Sequence, residues 1–281
     1  MPLSSGCSSG RLMEFQHPAL VVGHPGHELR VFGWMDEYKP RVYVITDGSG
    51  RNGVSRTSST ADLLARVGSP RGEIFGCMSD ADIYNAMLER NVPAILLLVD
   101  SLARSFLRHR IDCVVGDAAE GFNPTHDLCR GLVNSAVLLA ERTSGRAIAN
   151  FEVCLTEWEQ NGLKPLHDDS CLHWTLDDRR LMQKIEAAEQ YDELSHEVQR
   201  AIAQRGKGYF RTECLRPAVT TDLPCFGARK PAYERWGEQR VAEGHYRSVI
   251  RFKQHVLPMM QAILDYACHA NLAPALVGTR R

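Results

Sequence analysis

Five short apolar runs recur along the first 155 residues, and each is cut off by a turn rich in Gly, Pro, Asp or Ser. They are Ala19–Val22, Arg41–Thr46, Gly72–Gly76, Ile111–Gly116 and Ala147–Leu155. β-Branched residues bounded by turn formers read as buried strands. Helical stretches fall between them. Glu28 to Tyr38 follows the first run, and Ser58-Ser59-Thr60 offers caps for a helix through Val67. Ser79 caps a helix from Asp80 to about Arg90, and Val92-Pro93 opens one from Ala94 to about Arg108. A long helix runs from about His126 to Arg142. Strands alternating with helices predict a mainly parallel sheet covered on both faces, a Rossmann-like three-layer α/β fold.

Past Leu155 the pattern changes. Cys171–Leu176 reads as one more strand, and Thr175 with Asp177 and Asp178 starts a long amphipathic helix through about Gln204. Lys207–Leu215 and the Pro-rich stretch to Pro231 look irregular, and a final helix is expected from about Ala242 to His269. No clean linker interrupts the chain. The expected organisation is a loose leader over 1–17, an α/β domain over 18–215, and a C-terminal extension over 216–281 whose long helix packs on the same domain.

Composition narrows the class. The formal charge of −1 and pI near 6.8 give no electrostatic support for a nucleic-acid partner. Nine cysteines without CxxC pairs point to reduced thiols and a cytoplasmic location. The most apolar stretch, Ala94–Val99, is far short of the roughly 20 residues a membrane span needs. The first residues lack the charged-then-apolar order of a signal peptide. There is no GxSxG, P-loop or dinucleotide fingerprint.

The candidate chemistry starts at Val21–Arg30, VVGHPGHELR, where a strand ends in a turn carrying His24 and His27. Side chains at the carboxyl ends of strands face the ligand crevice of open α/β sheets. About 100 residues on, His126 occupies the matching place after the fourth strand. Three imidazoles suit zinc or another divalent transition metal and leave a position open for water. Asp117 and Glu120, on the loop leading to His126, are the carboxylates placed to act as a general base. Arg51 and Arg56 could hold an anionic substrate group from a Ser-rich loop. His167 and His173 read as hydrogen-bonded structural residues, and Lys184 and Tyr191 as packing and surface residues.

Several segments in order resemble the LmbE-like (PIG-L) family of metal-dependent N-acetylglucosaminyl deacetylases. VVGHPGHE resembles the family's AHPDDE turn, and VYVITDGSG its second strand with a TDG turn. DCVVGDAAEGFNPTHDLCRGLVNSAV resembles the strand, loop and HPDH helix start. KIEAAEQYDE with the later GYFRTE resembles a C-terminal segment carrying a Lys, an Ala, an aromatic and a downstream Glu. The resemblance implies that His24, His27 and His126 hold the metal, with His in place of an Asp at 27. It implies that Glu28 orients the turn and that Asp47 hydrogen-bonds a ligand histidine.

Two departures stand out. Gly26 replaces the family's general-base Asp, and Asn123 replaces a His that stabilises the tetrahedral intermediate; an Asn amide can still donate to an oxyanion. The implied function is a zinc-dependent amide hydrolase that removes an acyl group from an N-acylated amino sugar or glycoconjugate. Its partner would be a small-molecule substrate, and a homo-oligomer is compatible with the final helix. Gly26 motivates a second expectation, a catalytically degenerate member that binds a sugar or partner. A three-His metal enzyme with a different reaction is a third.

Overall fold

The computed structural model describes residues 15–50, 53–155 and 170–272. Seven strands form one sheet: β1 (Pro18–Val22), β2 (Arg41–Thr46), β3 (Arg71–Met78), β4 (Cys113–Asp117), β5 (Ala149–Val153), β6 (Leu172–Thr175) and β7 (Thr212–Pro217). Their order is β3-β2-β1-β4-β5-β7-β6. The first five in that order run parallel, and β7 is antiparallel to both β5 and β6. This is a mostly parallel three-layer α/β fold. The strand order reverses between β1 and β4, and that switch point opens a crevice at their carboxyl ends.

Alternation along the strands feeds both layers. Ala19 and Val21 of β1 and Tyr43 and Ile45 of β2 face one apolar cluster, while Leu20, Val22, Val42 and Val44 face the other. With both faces covered, every residue of β1 and β4 is buried, which is why these strands read as unbroken apolar runs. Helices α1 (Phe32–Tyr38) and α2 (Thr57–Val67) supply Trp34, Met35, Leu63 and Leu64 to one layer. Helices α3 (Asp80–Leu88), α4 (Val92–Arg108) and α5 (Pro124–Ser144) supply the other. Local signals fix several helix starts. Ser79 and Asp82 form a reciprocal capping box on α3, Asn91 caps α4, and Asn123 caps α5 ahead of Pro124.

Four local expectations are corrected. Helix α2 begins at Thr57 without a side-chain cap, because Thr60 turns inward instead. The long helix expected to Gln204 is two helices, α6 (Asp178–Glu189) and α7 (Ser195–Arg205). They are separated because Tyr191 leaves helical geometry to bury its ring. Lys207–Leu215 is ordered: a 3-10 turn, Lys207–Arg211, leads into β7, whose pairing with β5 and β6 no local pattern announces. The single final helix is α8 (Ala232–Ala242), then a connection, then a π-turn (Phe252–Val256) opening α9 (Leu257–His269). Gly244, at φ 76°, lies just past the end of α8. Helix α9 packs on α4 and α5, and Met260 sits where any side chain on Gly131 would clash. Among the described residues no helix is long and apolar enough to cross a membrane.

Candidate functional site

The turn after β1 is held from below by the ends of its neighbours. The Gly23 amide donates to Asp117 Oδ2 at 2.7 Å, and the Gly23 carbonyl accepts from the Thr46 amide and hydroxyl, both at 3.0 Å. Gly26 takes φ 102°, a left-handed value that favours glycine. A Cβ there would also lie 2.4 Å from Leu194 Cδ1. Glu28 is fully buried; one carboxylate oxygen accepts from the Gly26 amide at 2.8 Å and the other from the Thr60 hydroxyl at 2.8 Å. Burial pushes its pKa up, against the hydrogen bonds that lower it. Glu28 therefore braces the turn.

His24, His27 and His126 come together at the switch point. Their ring centroids are 5.3, 5.2 and 4.5 Å apart. In a tetrahedral three-imidazole site, nitrogens at about 2.0–2.1 Å from zinc put ring centroids about 5 Å apart. The hydrogen bonds assign two tautomers. Thr46 Oγ1 already donates to Gly23, and Asp80 can only accept, so His24 Nδ1 carries the proton it shares with them at 2.7 and 3.0 Å. His24 Nε2 is then a bare lone pair, buried and without a partner among the described residues. His27 Nδ1 likewise donates to Asp117 Oδ2 at 2.8 Å, which leaves its Nε2 as the acceptor.

Burial lowers the pKa of His24 and lowers that of His126 well below the ordinary value, which favours the neutral form of each ring. A carboxylate on Nδ1, as His24 and His27 have, is the support that metal-ligating histidines generally receive. The nitrogens and the rings nonetheless give different answers. Among the described residues no group of three His, Cys, Asp or Glu is already set to hold a metal. The rings of His24 and His27 are held by their Nδ1 hydrogen bonds, so only that of His126, without a hydrogen bond among the described residues, is free to turn about χ2.

The remaining expected residues separate by what they touch. Asp117 is fully buried and serves both His27 and Gly23; its Oδ1 has no partner among the described residues. Glu120 is buried, and its Oε2 accepts from the Leu155 amide at 2.9 Å. Asn123 caps α5 through Oδ1, 2.8 Å from the Thr125 amide. Burial pushes the pKa of the Tyr84 hydroxyl up to about 12, with Asn123 beside it acting the other way. Asp47 accepts from the Ser49 amide at 2.9 Å, shaping its own turn, while Thr46 and Asp80 hold His24. Arg56 donates to the Gly48 carbonyl at 2.7 Å. Arg51 and His167 lie outside the described residues, as does the stretch 1–14. Phe122, 53% exposed, leans over His126 at 6.2 Å.

Two acids escape a reading of the sequence. Asp80 bridges His24 and the Gly50 amide, 3.0 and 2.8 Å away. Burial would raise its pKa, yet His24 and these hydrogen bonds hold it well below the usual carboxylate range. The signal available was its place, an acid in the first turn after β3, at the same end of the sheet as the histidines. Asp127 accepts from the Glu120 and Gly121 amides, both at 3.0 Å, and burial pushes its pKa up to about 8.

A second layer supports the turn. Lys184 and Tyr191, expected as packing and surface residues, are both buried. Lys184 pairs with Glu213 at 2.8 Å, and Glu213 accepts from the Gly33 and Trp34 amides at the start of α1. The Tyr191 hydroxyl meets Thr60 at 2.8 Å and the Arg56 carbonyl at 3.2 Å.

The sequence matches no family model and no curated protein. Among solved structures it is similar to the zinc-inhibited form of the teicoplanin deacetylase Orf2, with 12% identity and a TM-score of 0.47. It is also similar to a triple mutant of that deacetylase, at 14% and 0.44, and to a deacetylase–bog complex from teicoplanin biosynthesis, at 13% and 0.42. Each likeness covers 72% of this chain and 98% of the other. At such values no residue role passes from those proteins to this one.

Proposed function

We propose that the chain is a metal-dependent amide hydrolase of the cytoplasm, acting on an N-acylated amino sugar or related small glycoconjugate. The observation that carries this reading is the cluster of His24, His27 and His126, two of them carboxylate-tethered, with the Nε2 of His24 buried and unpartnered. A nitrogen lone pair left without a donor in a buried site is costly unless something binds it. Neutral imidazoles suit zinc or another divalent transition metal, and those three residues would hold it. Bound there, the ion would polarise an amide carbonyl and acidify water.

The chain's own groups supply the rest. Asp80 and Asp117 fix the tautomers of His24 and His27, and the Asn123 amide, braced by Thr125 and Tyr84, is the candidate oxyanion donor. Hydrolysis adds water across the C–N bond, so one proton must leave the water and one must reach the departing amine. Among the described residues, Asp117 Oδ1 is the one oxygen of the two tethering carboxylates without a partner, and we assign the proton acceptor to it. Glu120, engaged with Leu155, supports the loop instead.

Elemental analysis of protein purified without added metal tests the reading. About one zinc or similar ion per chain is expected, lost in His126→Ala while the fold is kept. Full metal content in that variant, or a metal-free wild type that releases acyl groups, overturns it. A second reading rests on Gly26, where Leu194 fills the space a side chain would need. On that reading the crevice binds a sugar or partner without hydrolysis. A metal-loaded protein that binds N-acyl amino sugars yet releases no carboxylate from them selects it.

A further inference from the structure

Beside Gly121, which faces Phe226 and Pro231, the C-terminal part forms a half-open pocket of about 430 Å³. That is within the range of small-molecule sites, roughly 300–1,000 Å³. Phe226, Phe252 and Leu257 give it an apolar lining, with the two phenyl rings edge to face at 4.8 Å. Phe252, Lys253 and Gln254 reach it from the π-turn that opens α9, a distortion found frequently at functional sites.

Its charged rim is unbalanced. Four cations line it, Arg229, Lys230, Arg251 and Lys253, against two carboxylates, Glu234 in the lining and Glu238 beside it. Arg251 is held by Glu234 and Glu238, at 3.3 and 2.7 Å, and Lys230 by Glu238 at 2.9 Å. Glu234 also caps the Phe252 amide at 2.9 Å. Arg229 and Lys253 have no ion-pair partner among the described residues, and both are exposed at the mouth.

We propose that this cavity binds an amphiphilic carboxylate, its apolar body against Phe226 and Phe252 and its head between Arg229 and Lys253. A guanidinium fork matches a carboxylate in two parallel hydrogen bonds. The exposed cations give a neutral lipid no ionic partner, and the apolar lining gives a bare inorganic anion nothing beyond charge. The site is independent of any metal at the histidines.

Cys225, exposed at the rim, reports occupancy directly. The full-length protein is titrated with octanoate, with inorganic phosphate and with octanol, while alkylation of Cys225 is followed by peptide mass. Octanoate is expected to bind saturably and to slow the alkylation. Phosphate and octanol are expected to leave it unchanged at equal concentration. Arg229→Gln with Lys253→Gln should weaken octanoate by about tenfold or more without changing the circular dichroism. Unchanged alkylation under octanoate, equal protection by phosphate or octanol, or full protection in the double variant each overturns the proposal. Metal content is unaffected by any of these outcomes, so this proposal and the hydrolase reading fail separately.

Discussion

Gly26 shows how much one position can decide. Its φ of 102° and the 2.4 Å approach of Leu194 to any Cβ mean that two separate strains meet a side chain there. Gly26→Ala should therefore cost about 1–3 kcal/mol in urea unfolding, from backbone strain and overpacking together. Leu194→Ala in the same background should recover the packing part and leave the backbone part. Equal stability of the single and double variants would show that Leu194 does not set the cost. The same geometry means that placing an aspartate at 26 tests catalysis only when Leu194 is shortened with it. Among the site residues, His24 and His27 were legible because their message is local: a strand, a turn and three residues' spacing. His126 was legible as the same position one crossover later. Asp80 was not, because its partner lies 56 residues away and its own neighbourhood explains it fully as a helix-start acid.

At the scale of elements, local caps and periodicity located the strands and helices of the parallel half, and tertiary demands broke the rest. Tyr191 ends α6 in order to reach Thr60 and Arg56, so a continuous amphipathic pattern became two helices. β7 exists because β5 and β6 pair with it, a non-local fact that its irregular-looking sequence hides. The loop into α5 carries a consequence of its own. Asp127 caps two of that loop's amides from a fully buried site, and its pKa is raised from the unfolded value to about 8. The folded state therefore binds the proton more tightly than the unfolded chain. Its contribution is complete below the ordinary aspartate range and is lost as pH rises toward 8. Asp127→Asn keeps an acceptor oxygen for both amides and removes the titration. Thermal midpoints measured from pH 5 to pH 8 should fall less steeply in this variant than in the wild type. Parallel slopes would place the pH dependence elsewhere.

Across the whole molecule, the crevice between β1 and β4 is made by the parallel half but held by the other. Glu213, on β7, receives the Gly33 and Trp34 amides at 2.8 and 2.9 Å, and Lys184, on α6, approaches the same carboxylate at 2.8 Å and the Arg30 carbonyl at 3.2 Å. These contacts clamp the first turn of α1, which directly follows the 3-10 turn carrying His27 and Glu28. Helical spacing reads Lys184 and Tyr191 as packing and surface residues, whereas Lys184 is buried against Glu213. The distinction matters energetically, since breaking a buried pair leaves an uncompensated charge and typically costs about 3–5 kcal/mol. Lys184→Met should lower unfolding stability by about that amount, because Glu213 keeps its two amide donors but loses its counter-charge. The loss should be concentrated where the clamp acts, so hydrogen exchange at the Gly33 and Trp34 amides should accelerate more than exchange in β4. Glu213→Gln keeps an acceptor for only one of those amides and turns an NH2 donor toward the other, so it should accelerate their exchange as well. If both variants loosen β4 and the α1 amides equally, the pair stabilises the fold at large and does not specifically position the histidine turn.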